Sequence, residues 1–344
     1  AYLRPALRRA GLTVETGALA TRIVLDGKRA IGVEYEKHGA RVTAAAEREV
    51  ILAGGVINTP QLLMLSGIGD PDDLRAHGIA VAAPLKGIGR NLQDHISAGI
   101  LWRRTEPGPL HAKMRLDRIA LDLAKTYFFG SGISADLPGG VMAFLKSPLA
   151  EALPDVQFLF VAAPQAATPY MPPFTRPYAD SFGCRAVVLR PESRGRLDLV
   201  SADPRMPMRI RQNFLATDKD WATLRAGLRM VREVANQTPL RPFIAGEIAP
   251  GAGKASDHEI DAHIRATGIS VHHPLGTCKM GTERDPTAVV NGELRVIGIE
   301  RLRVVDASVM PDLVGGNINA PVIMIAEKAA DLIRGREPLA PVNV

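Results

Sequence analysis

The chain has 344 residues, of which 46% are hydrophobic and 23% charged, with a formal net charge of +6 and two cysteines. This composition is typical of a folded globular protein with about two domains, and it excludes a disordered, collagen-like or disulfide-stapled chain. Because the basic residues are scattered among acidic ones, we predict no nucleic-acid partner, and no apolar run reaches the roughly 18 residues of a membrane span.

The first seventy residues are predicted to form a short helix, a series of strands and a second helix. Residues 1–11 indicate a short helix, and LTVET (12–16), TRIVLDG (21–27) and RAIGVEYEKHG (29–39) indicate three strands with turns at DGK and HGA. REVILAGG (48–55) predicts a strand that ends in two glycines. NTPQLLMLSGIG (58–69) then predicts a helix with Pro60 in its first position, capped by Asn58 or Thr59. This succession is typical of nucleotide-binding folds, and an ordinary strand-to-helix connection fits it as well.

The rest of the chain is regular at its end and irregular in its middle. PDDLRAHGI (71–79) predicts a helix, whereas residues 100–185 show few clear periods apart from a buried strand at VQFLFVAAP (156–164). DWATLRAGLRMVREVANQ (220–237) is the best amphipathic helix. LRVVDAS (302–308) predicts a strand that ends at an acid, LVGGNIN (313–319) a glycine-rich loop, and APVIMIAEKAADLIRG (320–335) a helix.

The segment HHPLGTCKMG (272–281) carries the most reactive side chains. His272, His273 and Cys278 could offer three zinc ligands, but adjacent residues rarely point at one ion, so we predict no metal site and a packed Cys278. A histidine is also suited to act as a general base, because its ordinary pKa of about 6.5 lies near working pH. On this segment alone, the favoured interpretation is a pair of core or turn histidines with satisfied hydrogen bonds.

Several segments, taken in order, resemble the glucose-methanol-choline (GMC) oxidoreductases, which depend on FAD. They are GGVINTPQLLMLSGIG (54–69), GRNLQDH (89–95), LRPESRGRLDLVSADP (189–204), HHPLGTCKMG (272–281) and residues 302–333. The resemblance covers essentially the whole chain, which corresponds to the C-terminal two-thirds of a family member. The family's N-terminal βαβ unit, with its G-x-G-x-x-G sequence, has no counterpart here.

The resemblance implies an α/β fold of mixed α+β type with two interleaved domains. Residues 1–98 and 282–344 would form an incomplete FAD-binding, Rossmann-like domain that lacks its N-terminal βαβ unit. Residues 99–281 would form a substrate-binding domain built on an antiparallel sheet.

The resemblance also assigns roles to individual residues. His273 would be the catalytic base, Asn319 the second catalytic residue, and His272 a neighbour of the substrate. The residues expected to contact FAD are Ala20, Asn91, Asp306, Ala307, Asn317, Asn319 and Pro321. Asp94 and His95 are expected to be structural, as a buried hydrogen-bonded pair.

The implied activity is the oxidation of a primary alcohol to its aldehyde, by proton abstraction and hydride transfer to FAD. The partners would be a small alcohol and an electron acceptor, quinone or oxygen. Two alternatives stay open: a fragment without independent activity, and a non-redox flavin lyase of the hydroxynitrile lyase type. We expect a cytoplasmic location, with peripheral contact at the inner membrane as a further possibility.

Overall fold

The fold is described from a computed structural model, for residues 2–132, 134–135, 140–164, 167–337 and 340. The helices in this part of the chain are α1 Leu3–Ala6, α2 Gly55–Leu65, α3 Pro71–Ala76, α4 Pro109–Lys113, α5 Leu116–Phe129, α6 Asp218–Ala235, α7 Asp257–Thr267 and α8 Asn319–Ile333. Among these residues, we find no helix with the length and hydropathy needed to cross a membrane.

The strands are short, and most of them pair in an antiparallel arrangement. They are β1 Leu19–Asp26, β2 Arg29–Lys37, β3 Ala40–Ala45, β4 Val50–Leu52, β5 Ile68–Gly69, β6 Ala83–Pro84, β7 Ile96–Arg104, β8 Met142–Leu145, β9 Val156–Val161, β10 Ser181–Val188, β11 Arg196–Asp198, β12 Arg209–Arg211, β13 Ile244–Ala249, β14 Ile269–Ser270 and β15 Leu302–Val304.

A six-stranded antiparallel sheet forms the larger layer of the fold. Its order is β13-β7-β10-β9-β8, and β14 also pairs with β7. Helix α6 packs on this sheet through Leu224, Leu228 and Val231, which are buried, as the apolar spacing of its sequence predicts. The antiparallel sheet that the family resemblance implies is therefore confirmed.

A second core surrounds the parallel pair β4 and β15 and the meander β1-β2-β3. Leu52 and Val304 are buried there together with α2 side chains such as Leu63. Leu197 and Leu275, which lie within the predicted substrate domain, also pack in this second core. The two cores are thus interleaved along the chain, and the domain boundaries stay a prediction.

One predicted strand is wrong. Residues 12–16 form no strand in the described part of the chain, and Leu12 and Val14 are exposed. The third strand of the meander is instead β3, which follows the predicted HGA turn, where His38 and Gly39 have positive φ angles. Two apolar residues at alternate positions suggested a strand, but segment 12–16 shows no backbone pairing with a strand in the described part of the chain.

Helix α2 begins earlier than its sequence predicts. It starts at Gly55, so Pro60 lies inside the helix rather than in its first position. Because proline has no backbone N–H, the carbonyl of Val56 has no helical partner. The hydroxyl of Thr277 donates to that carbonyl at 2.6 Å, which joins α2 to the segment that carries His273.

Candidate active site

Two segments that are distant in sequence meet around His273. Gln93 and Leu275 exchange backbone hydrogen bonds of 3.1 and 2.9 Å, and the N–H of Val271 donates to the carbonyl of His95. Gly276 has a φ of +92°, and a Cβ atom there would lie 2.5 Å from the carbonyl oxygen of Asn91. Only glycine therefore allows this close approach of the two backbones.

The carboxylate of Asp94 fixes the backbone turn at residues 270–273, which carries the imidazole of His273. One carboxylate oxygen accepts the N–H of His273 at 2.9 Å, and the other accepts the hydroxyl of Ser270. The same hydroxyl oxygen accepts the N–H of His272, a residue with a φ of +62°. These contacts stabilise the turn that presents His273.

The predicted hydrogen-bonded pair of Asp94 and His95 is wrong, because both residues contact His273 instead. The Nδ1 atoms of His95 and His273 lie 2.9 Å apart, and Nε2 of His95 lies 3.1 Å from the carbonyl oxygen of Leu189. His95 is fully buried, and its ring meets that of His273 at 85°. Adjacent side chains on an extended segment point to opposite sides, which separates Asp94 from His95.

The other ring nitrogen of His273 faces an amide. Nδ2 of Asn317 lies 3.4 Å from Nε2 of His273, and Oδ1 of Asn317 accepts a hydrogen bond of 3.4 Å from Nε2 of Gln157. Gln157 lies on β9 and is fully buried. The glycine-rich loop before α8 and the antiparallel sheet thus bring a proton acceptor and an amide donor together.

Burial keeps both imidazoles in the neutral form near neutral pH. Burial and the neighbouring His273 lower the pKa of His95 to about 4, against the opposing effect of the Leu189 and Val314 carbonyls. Burial likewise lowers the pKa of His273; the charge of Asp94 acts to raise it, and His272 acts to lower it. Neutral His273 is the form that can accept a proton.

The buried state of His95 predicts an acid-sensitive fold. Its pKa is about 4 in the folded chain against an ordinary 6.5, so between these values only the unfolded state binds the proton. Stability therefore falls as the pH falls through this window, by at most about 3 kcal/mol from this residue. Urea unfolding at about pH 7 and about pH 4.5 would measure it. His95→Asn should lose less stability on acidification, and an equal loss would contradict this origin.

Asp306 connects the second core to the same region. Its carboxylate accepts the N–H of Gly55, the hydroxyl of Thr59 and the N–H of Ser308 at 2.7–2.9 Å. A carboxylate at the start of α2 also stabilises that helix end. Because protein groups already occupy both oxygens, a cofactor near Asp306 would be contacted mainly through backbone groups, including those of the buried Ala307.

The structure offers two features that fit a flavin nucleotide. A cavity of about 420 Å³ opens between β1 and α2, lined by Ala20, Gly54 and Asn58 among others. Gly55 has a φ of +82° and open space where a Cβ atom would lie, so its backbone is accessible. Helix α8 begins at Asn319, two residues after Asn317, and has no side-chain cap, so its first N–H groups are free to bind an anionic or carbonyl edge. The residues present therefore fit FAD.

The other residues predicted for the site make no hydrogen bond to the ring of His273 in the described part of the chain. Asn91 donates to the carbonyls of Gly276 and Pro311 and so connects loops. Asn319 is the first residue of α8, with Pro321 two positions later. His272 is exposed beside His273. The hydrogen bond to His273 comes from Asn317 and not from Asn319.

Sequence reasoning did not identify His95 and Gln157 as residues of this site. Gln157 stands in the apolar run VQFLFV of a strand predicted to be buried. A buried amide requires hydrogen-bond partners, so this polar residue in an apolar strand was the available signal. His95 gave no such signal, because a histidine at a strand start is ordinary in a folded chain.

The fold is shared with solved oxidases. Pyridoxine 4-oxidase from Mesorbium loti superposes with a TM-score of 0.82 at 29% identity, over 98% of this chain and 61% of that one. A formate oxidase from Aspergillus oryzae RIB40, solved to study FAD modification, superposes with a TM-score of 0.83 at 25% identity, over 96% and 62%. Both are similar to this chain across the two cores.

Residues 1–97 and 191–326 match the family description GMC oxidoreductase. The mitochondrial choline dehydrogenase of Homo sapiens is 45% identical over 341 residues, which is 98% of this chain and 56% of that protein. The chain belongs to the GMC oxidoreductase family, as the resemblance of its motifs implies. It spans less than two thirds of the length of each of these three relatives.

Proposed function

We propose that this chain carries the proton-accepting and oxygen-binding groups for the FAD-dependent oxidation of a primary alcohol to its aldehyde. The observation that supports this function is the 3.4 Å contact between Nε2 of His273 and Nδ2 of Asn317. Two groups this close can both contact a single alcohol oxygen. When bound, FAD supplies the acceptor for the hydride that leaves the alcohol carbon.

The two side chains have complementary tasks in this proposal. His273 accepts the hydroxyl proton on Nε2, and its lowered pKa keeps it unprotonated at neutral pH. Asn317 donates a hydrogen bond from Nδ2 to the same oxygen as negative charge develops on it. Oδ1 of Asn317 is already held by Gln157, which leaves Nδ2 directed toward the site.

We therefore assign the second catalytic position to Asn317, in place of the Asn319 expected from the family resemblance. Asn319 and Pro321, at the start of α8, are proposed to hold FAD together with Asn317. Backbone groups near Asn91, Asp306 and Ala307 would contribute further contacts, and Ala20 would line the cavity for the nucleotide. His272, which is exposed beside His273, is proposed to contact the substrate.

The substrate and the surroundings of the protein are also proposals. The human relative is named for choline, which supports a small primary alcohol of that kind as substrate. Quinone or oxygen would accept the electrons. We propose a cytoplasmic protein with peripheral contact at the inner membrane, for which the net charge of +6 is favourable because inner leaflets are anionic. Residues 1–98 with 282–344, and residues 99–281, are proposed as the two domains.

The direct test is anaerobic addition of choline or another primary alcohol to the FAD-loaded protein. We expect the visible absorbance of the oxidised flavin to disappear as the alcohol is oxidised. A flavin that stays oxidised with every alcohol, while the protein cleaves a hydroxynitrile, would support the lyase instead. A preparation that binds no FAD would support the inactive fragment.

The pH dependence follows from the state of His273. Since burial lowers its pKa, the rate constant for flavin reduction should rise with pH to a plateau, with the midpoint of the rise below the ordinary value of 6.5. Asp94, His272 and His95 are the titratable groups around this ring. Stopped-flow measurements of this rate constant across the acid and neutral range would check the prediction. A rate constant that is still rising above neutral pH would contradict it.

A further inference from the structure

We propose that His95 is a positioning residue that places a proton on Nδ1 of His273 and so leaves Nε2 free to act as the base. This inference rests on the proposed function of His273 and deepens it. His95 itself touches neither the flavin nor the alcohol in this proposal. It acts through a hydrogen bond to the ring of His273.

The first step of the argument concerns the carbonyl oxygen of Leu189. This oxygen can only accept, so Nε2 of His95, at 3.1 Å, must carry the proton that it donates. A neutral imidazole has one proton, and Nδ1 of His95 is therefore an acceptor. The burial of His95 excludes the second proton near neutral pH, since its pKa is about 4.

The second step concerns the contact between the two rings. The Nδ1 atoms lie 2.9 Å apart, a distance that requires one of them to donate. Because Nδ1 of His95 is the acceptor, Nδ1 of His273 must be the donor. The remaining nitrogen of neutral His273, Nε2, then carries a lone pair.

The arrangement on the other side of His273 agrees with this assignment. Gln157 donates to Oδ1 of Asn317, so the amide group of Asn317 directs its Nδ2 donor toward Nε2 of His273. The four hydrogen bonds from Gln157 to the Leu189 carbonyl therefore all run in one direction. A chain of hydrogen bonds that runs in one direction favours one orientation for each of its members.

The network also accounts for the proton during the reaction. When the alcohol O–H bond breaks, its proton binds Nε2 of His273, and Nδ1 continues to donate to His95. The proton stays on His273 because His95 is the much weaker base in its buried position. His273 can then release the same proton to solvent after the product leaves.

The primary test reads the proton positions directly. In FAD-loaded protein with ¹⁵N-labelled histidine, long-range ¹H–¹⁵N spectra distinguish protonated from unprotonated ring nitrogens, and His95 and His273 are assigned by single replacement. We expect His273 to be protonated on Nδ1 and His95 on Nε2. A wild-type His273 protonated on Nε2 would overturn the proposal whatever the activity.

The second test compares two variants of His95. His95→Leu has no acceptor, so the limiting rate of alcohol-dependent flavin reduction should fall about 10- to 100-fold and His273 should gain protonation on Nε2. His95→Asn retains an acceptor oxygen near the place of Nδ1, so it should recover most of the rate and the Nδ1–H form. Equal losses in both variants would show a structural role alone.

His263 offers a matched control. Its Nε2 lies 2.8 Å from the carbonyl of Gly99 on β7, much as His95 contacts Leu189, but the hydrogen bonds of its ring do not include His273. His263→Leu should leave the reduction rate within about twofold of the wild type. If the wild-type flavin is not reduced by any alcohol, the proposed function fails, and the spectra still decide the proton positions.

Discussion

Replacement of His273 by alanine is expected to slow alcohol-dependent flavin reduction by about 10² to 10⁴-fold, the usual contribution of a general base. The variant retains Asn317, which can bind the alcohol oxygen but cannot accept its proton. Binding of FAD should persist, because the side chain of His273 is not among the proposed FAD contacts. Stopped-flow spectroscopy of the anaerobic FAD-loaded protein measures the rate.

His272→Ala is the companion variant for this measurement. The two histidines are adjacent, but only His273 has its ring bonded to His95 and Asn317. We expect His272→Ala to lose less than about tenfold, since its loss removes no proton acceptor for the alcohol. A His273→Ala enzyme that stays within about tenfold of the wild type would refute the assignment of the base.

Replacement of Asn317 by alanine should have the second largest effect. Removal of one donor to a developing oxyanion costs about 10² to 10³-fold in rate. Asn317→Ala should therefore slow flavin reduction by about this factor while the acid limb of the pH profile persists. The limb persists because His273 remains as the base.

The same experiment distinguishes Asn317 from Asn319. Asn319 is exposed at the first position of α8, so Asn319→Ala should weaken FAD binding and slow the reduction step by less than about tenfold. Titration of each variant with FAD separates the two effects. The reverse order, with Asn319→Ala slower than Asn317→Ala, would favour the assignment from the family resemblance.

Much of the fold follows from local sequence. The apolar spacing of residues 220–237 predicts α6, and Gly335 marks the end of α8, where its φ is +66°. The failures have local causes as well. Segment 12–16 has the alternation of a strand but pairs with no strand in the described part of the chain. Helix α2 includes Pro60, and Thr277 satisfies the carbonyl that the proline leaves free.

The two motifs that carry the site could be predicted from the sequence, but their contacts could not. The motif with His273 and the motif with Asn317 are contiguous stretches, so each is visible in the sequence. Which of two asparagines faces the histidine depends on the turn before α8. Asn317 lies two residues before α8, whereas Asn319 is its first residue, so the two side chains are presented by different backbone conformations.

The sequence by itself determined the family, the α/β character of the fold and the identity of the histidine proposed as base. Only the tertiary structure decided the partners of that histidine. His95 is 178 positions from His273, and Gln157 is 160 positions from Asn317. Hydrogen bonds at such separations depend on how the two cores pack, because burial first removes water from these polar groups and then requires that each finds a partner in the fold.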